Sequence, residues 1–147
     1  MSSTAGWPED LKIAAEDLLA SDESLVVVAG GNILLRGNGP GIKPILEADE
    51  VLGDGLIGSA VADRVVGKAA ALFLRDAGVS AVFGAILSDH AREYLEGAGV
   101  RVESEKRVSH IVNRAGDDLC PLEKIAVEND DPNEAMAKIR EFLSAPS

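Results

Sequence analysis

The side chains able to do chemistry in this sequence are few, and they fall in a small number of places. Cys120 is the only cysteine and stands directly before Pro121. Proline favours the first position of a helix, which makes Cys120 a helix N-cap. Reactive thiols often work from such positions. A nucleophilic or redox thiol also needs a base, and His110 is the near one in sequence. The competing reading is a small buried hydrophobe. Asp63 precedes the apolar run 65–74 and reads as a carboxylate at the start of a helix, where it can cap free N–H groups. Lys68 is the one strong charge within that run, so its ammonium either reaches the surface or enters a site. Ser88 and Asp89 are caps for the following helix, and His90 stands beside them. Cys120 and Asp63 are therefore the candidate catalytic residues. Lys68, Ser88, Asn113, Arg114 and Lys43 are the candidate ligand-binding residues. A lone cysteine excludes an internal disulfide and a four-cysteine zinc site. One substitute metal arrangement is conceivable, from Asp63, Asp89 and His90 at neighbouring helix starts, but no metal or other cofactor is expected.

These residues must be positioned by a mixture of helices and strands. Pro8, Glu9 and Asp10 open a helix whose apolar residues, Leu11 to Leu19, keep helical spacing. The run 24–29 and the run 33–36 flank Gly30-Gly31-Asn32, a hairpin signature. Residues 37–44 form a glycine- and proline-rich loop that does not match a P-loop. It reads as a connection with unusual backbone angles or as a loop lining a ligand. A short helical turn follows at 45–52. The run 65–74 is apolar on nearly every face and predicts a central, buried helix, with Gly67 inside it as an unfavourable residue. Gly78 ends that helix. The run 79–87 predicts a buried central strand. Then come a helix closed by Gly99, a strand at 100–108 and an edge strand at 110–113. A helix at 121–127 follows, and Asp131, Pro132 and Glu134 start the last helix in a capping-box pattern. Strand, helix, strand in succession implies parallel pairing.

Composition narrows the class. The chain has 147 residues, of which 46% are apolar but only 3% aromatic. A core of Val, Ile, Leu and Ala with 15 glycines suits an α/β sandwich better than a helical bundle. The expected organisation is a disordered start at 1–7 and a single domain at 8–147. A net charge of −11 without any basic run argues against a nucleic-acid polymer as partner. The first ten residues lack the pattern of a signal peptide. No stretch is long and apolar enough to span a membrane. With one cysteine, a reducing, cytoplasmic setting is expected.

The segments GIKP (41–44), VADRVVGKAAALFL (61–74), SHIVNR (109–114) and LCPLEK (119–124), in this order, resemble a family of prokaryotic domains of unknown function. That resemblance implies a cytidine deaminase-like fold, a three-layer α-β-α sandwich around a mixed sheet. Zinc-dependent deaminases carry His-x-Glu or Cys-x-Glu at one helix start and Pro-Cys-x-x-Cys at the next. Here Ala62-Asp63-Arg64 and Leu87-Ser88-Asp89-His90 stand near the two positions, so the zinc ligands are missing.

Three functions are open from the sequence. The first is a non-zinc protein that binds a small nucleotide-like or anionic ligand in a crevice near the buried helix N-terminus. The second is an enzyme that uses Cys120 as nucleophile or redox thiol. The third is a structural or interaction subunit that forms a homodimer.

Overall fold

The computed structural model describes residues 4–113, 115, 116 and 118–144. Helix α1 (Glu9–Leu19) leads into the hairpin β1 (Leu25–Ala29) and β2 (Asn32–Gly37). Gly30 and Gly31 at its tip have φ of 59° and 80°. That pair of left-handed residues lets two strands join tightly without losing their twist. The Asp10 carboxylate of α1 accepts from both N–H groups of the tip, at 3.1 and 2.8 Å. Helix α2 (Lys43–Leu52) and a single 3-10 turn (Gly53–Leu56) precede β3 (Ala60–Val66), α3 (Lys68–Asp76), β4 (Ala81–Ser88), α4 (Asp89–Glu96) and β5 (Arg101–Val108). Two helices, α5 (Pro121–Glu128) and α6 (Pro132–Ser144), close the described chain.

The five strands form one sheet in the order β2-β1-β3-β4-β5. β1 pairs antiparallel with β2 and β3, whereas β3, β4 and β5 run parallel. The sheet is therefore mixed, with β3 at its centre. Helix α1 covers one face, with Leu11, Ala14, Ala15 and Leu18 packed on Val26, Val28, Ala60, Ala62 and Phe83. Trp7 sits against the Phe83 ring at 5.8 Å. Helices α2 to α6 cover the other face, where all of Ala69 to Leu74 in α3 are buried with Val27, Val61 and Val82. This is the expected α-β-α sandwich. No described helix is long and apolar enough to cross a membrane.

Two expectations are corrected. Residues 60–66 are a strand, so Asp63 lies inside β3 and caps no helix; α3 starts at Lys68, and Gly67 is its N-cap rather than an interior residue. The end of β3 and the buried helix α3 share one apolar run, 65–74, and Gly67 alone separates the two. The edge strand expected at 110–113 is reduced to one isolated bridge between Val112 and Leu119. The local caps are as expected. Ala91 N–H donates to Ser88 Oγ at 3.1 Å, and Asn133 N–H donates to Asp131 Oδ1 at 2.9 Å.

Arg64 points to the α1 side of β3 and ties α1 down. Its Nε donates to the Glu23 carbonyl at 2.9 Å, and one Nη donates to the Leu18 carbonyl at 2.8 Å and to that of Ser21. These acceptors include the Leu18 carbonyl in the last turn of α1, which also accepts from the N–H and Oγ of Ser21. Arg64→Ala is expected to lower the unfolding free energy by about 2–3 kcal/mol, because bonds to a charged donor are lost together. Arg64→Lys should recover less than half of it, since an ammonium lacks the planar fork. Urea denaturation measures both. An alanine variant within about 0.5 kcal/mol of wild type would show that the guanidinium does not hold the helix.

Candidate functional site

Alternation along β3 sends Arg64 to the α1 face and Asp63 to the opposite face, toward the start of α3. Asp63 is 5% exposed and sits in the centre of the sheet, registered against Leu25 of β1 and Gly84 of β4. Burial pushes its carboxyl up to about 7, and hydrogen bonds from the backbone N–H groups of Arg64 and Val65 only partly oppose this. Among the described residues no cation pairs with it. A buried carboxyl with neither counter-ion nor salt bridge is a group that ordinary core packing avoids.

Above Asp63, the N-terminus of α3 holds a second carboxylate. Lys68 N–H donates to Glu123 Oε1 and Ala69 N–H to Glu123 Oε2, both at 2.8 Å. Glu123 reaches in from α5 and is itself only 4% exposed. Two otherwise unpaired helix N–H groups and the positive end of the helix dipole thus receive one anion. Gly67 makes room for it. A Cβ at Gly67 would lie 2.3 to 2.7 Å from the Glu123 carboxylate atoms. The backbone of Gly67 is extended, with φ −100°, so close approach and not an unusual dihedral calls for glycine there.

Asp63, Glu123 and Cys120 open onto one cavity of about 130 Å³. Ile42 at the start of α2, Ala70 of α3, Ile111 and Leu122 supply its apolar walls. The N-termini of α2 and α3 meet here, and Ile111, Cys120, Leu122 and Glu123 cover them. Cys120 is half-buried at the N-cap of α5, as expected, and its N–H donates to the Ile111 carbonyl at 3.0 Å.

The structure brings together the two candidate catalytic residues and separates most of the others. The cavity lies at the start of the buried helix α3, between it and the start of α2. Ser88 is buried as the cap of α4 and does not line it. Lys43 is exposed on α2 and lies outside the lining. The Lys68 ammonium lies over the Tyr94 ring at 5.8 Å, in a shallow groove shared with Arg75, His90 and Glu93. Asn113 Oδ1 accepts from Gly116 N–H at 2.8 Å in the covering loop. Arg114 lies outside the described residues. His110 lines a neighbouring groove with His90 and Asp118, so it and Cys120 open onto different cavities. Glu123 lines both.

A zinc ion does not fit this site. No histidine lines the cavity, and both oxygens of Glu123 already accept N–H bonds. Asp63, Asp89 and His90 are not brought together. Among the described residues no three His, Cys, Asp or Glu side chains form a group that could hold a metal.

Sequence reasoning missed Glu123, Gly67 as its seat, and Arg64. One signal for Glu123 was present. It stands three residues before Ala126, on the face that α5 buries. An acid on an apolar face marks a partner elsewhere in the fold.

Residues 13–143 match the family described as TM1506, Domain of unknown function (DUF1893). The chain belongs to that family. A crystal structure of a DUF1893 family protein (TM1506) from Thermotoga maritima, at 2.70 Å resolution, is similar with a TM-score of 0.82 and 26% identity; the match covers 97% of this chain and 96% of that one. A dCMP deaminase from the cyanophage S-TIM5 is similar with a TM-score of 0.48 and 18% identity, over 65% of this chain and 93% of that one. RibD from Acinetobacter baumannii is similar at the same score and identity, over 55% of this chain and 27% of that one. The comparison with curated proteins yields no match. This DUF1893 domain is thus an α/β sandwich in which a buried carboxyl, a thiol and a carboxylate-capped helix line one cavity.

Proposed function

We propose that this DUF1893 domain is a cytoplasmic, non-zinc ligand-binding protein whose site is the cavity between the starts of α2 and α3. One observation carries this reading. Asp63 is buried in the central strand without a counter-ion among the described residues, and it lines the cavity. Such a carboxyl weakens a fold and is explained by a ligand that hydrogen-bonds to it. Size agrees, because about 130 Å³ is comparable with the roughly 150 Å³ of an engineered apolar cavity that takes up benzene. The ligand is then about one ring in size where it is enclosed. Of the ligand classes open from the sequence, the anion loses its seat, since Glu123 already occupies the α3 N-terminus.

A fragment screen by protein-observed NMR tests this. Hits are expected to shift the amides of Gly67, Ala69 and Cys120, and to be lost once Cys120 is alkylated with iodoacetamide. Hits that cluster elsewhere and survive alkylation would sink the proposal. A second reading, an enzyme with Cys120 as nucleophile, is favoured by Cys120 and Asp63 sharing the cavity. The same alkylation bears on it, because a thiol that reacts no faster than a free cysteine near neutral pH counts against a nucleophile.

A further inference from the structure

We infer that the cavity selects a small organic cation: an ammonium or amidinium-type group carried on an apolar body of about one ring. The inference rests on the reading of the cavity as a ligand site and adds the chemical class.

Charge at the lining decides the class. Asp63 and Glu123 are its acids. Among the described residues Arg64 is the only basic one that lines it, and its guanidinium is committed on the opposite face of the sheet to the carbonyls of Leu18, Ser21 and Glu23. No lysine or histidine lines the cavity. At this lining the helix N–H pair of Lys68 and Ala69 is already satisfied by Glu123. Apart from Ser24 and Cys120, the remaining lining residues are apolar or glycine. An entering carboxylate or phosphate meets two acids and, among the described residues, no available cation. A neutral apolar ring fills the volume but leaves Asp63 without a counter-ion among the described residues. An organic cation fills it and gives Asp63 the opposite charge that the protein does not supply among the described residues. In a low-dielectric cavity that pairing is far stronger than in water, and a chain with net charge −11 favours the approach of a cation.

The groups facing Asp63 also set the pH dependence. Glu123 comes from α5 and Cys120 from its N-cap; α2 and α3 contribute Lys43 and Lys68, neither of which lines the cavity. Asp63 therefore titrates without a cation among the described lining residues, and its carboxyl loses its proton around pH 7. Cation binding should strengthen as pH rises through that value, and the bound cation should shift the loss of the proton to lower pH.

Three ring compounds of similar shape separate the outcomes: benzamidine (cationic), benzoate (anionic) and benzyl alcohol (neutral). Each is titrated by NMR into the wild type and into Asp63→Asn, at pH 6 and pH 8. Benzamidine is expected to shift the amides of Gly67 to Ala70 and to bind at least about tenfold tighter than benzoate. Its affinity should rise about threefold or more from pH 6 to pH 8. In Asp63→Asn its affinity should fall to that of benzyl alcohol and lose its pH dependence. Retained binding of benzyl alcohol shows that the variant keeps the cavity. Benzoate binding as tightly as benzamidine, or benzamidine binding unchanged in Asp63→Asn, overturns the cation while the cavity stands as a site. If none of the three compounds shifts those amides, the reading of the cavity as a ligand site falls with it.

Discussion

In a Gly67→Ala variant the unfolding free energy is expected to fall by about 2–4 kcal/mol, a large effect for one methyl group. The backbone does not resist alanine, because φ −100° and ψ −176° lie in the ordinary extended region. Removing a glycine would by itself favour folding slightly, by about 0.4–1 kcal/mol, through the unfolded chain. Space decides the sign. The new methyl stands 2.3 to 2.7 Å from the Glu123 carboxylate, closer than any non-bonded contact allows. The carboxylate ends a flexible side chain and can move away, but moving breaks both bonds to Lys68 and Ala69 and leaves the first N–H groups of α3 without their anion. Each bond to a charged acceptor contributes about 1.5–3 kcal/mol. A double-mutant cycle isolates the cause. In a Glu123→Ala background the obstacle is gone, so Gly67→Ala should cost less than about 1 kcal/mol, giving a coupling of about 2 kcal/mol. Equal costs in both backgrounds, measured by urea denaturation, would mean that Gly67 serves something other than the carboxylate.

Whatever depends on near neighbours was legible in the residues. The Gly30-Gly31 hairpin, the Ser88 and Asp131 caps and the N-cap position of Cys120 are each set by a few consecutive side chains, and each is present. Strand β3 was not legible for a physical reason. Ala60 to Asp63 is buried on both faces, so it lacks the polar alternation that marks a half-exposed strand. Asp63-Arg64 then resembles the polar start of a helix, while in the fold the two side chains go to opposite faces of the sheet. The site fails to show for a different reason. The meeting of Asp63 with Cys120 and Glu123 depends on α5 returning across the start of α3, and nothing in the order of residues encodes that contact. Composition and family resemblance supplied the sandwich, whereas the walls that α2 and α5 give the cavity at the start of α3 came only from the fold.

Asp63→Asn is expected to stabilise the protein at pH 8 by about 2–3 kcal/mol and to leave it nearly unchanged at pH 4. Below pH 3.8 the carboxyl is protonated both folded and unfolded and contributes nothing. Between about 4 and about 7 the unfolded chain has released the proton while the folded chain keeps it, because burial disfavours the charged form. The folded state then binds more protons than the unfolded state, so the unfolding free energy falls as pH rises. Above about 7 both states are ionised and the penalty is complete and flat. A rise from 3.8 to about 7 sets a ceiling of about 4 kcal/mol at 1.36 kcal/mol per unit; water admitted through the cavity lowers what is measured. Asparagine keeps the shape and an acceptor for the N–H groups of Arg64 and Val65, and it carries no charge to desolvate. Other carboxyls, such as the ion-paired Asp17 and Asp118, titrate alike in both proteins, so the difference between the two stability curves isolates Asp63. Denaturant unfolding from pH 4 to pH 8 measures it, and an offset that stays constant over that range would contradict the buried, unpaired carboxyl. The same variant is expected to lose cation binding. A side chain that an isosteric amide improves for folding and ruins for binding is accounted for by the ligand it meets in the cavity, because stability alone favours its replacement.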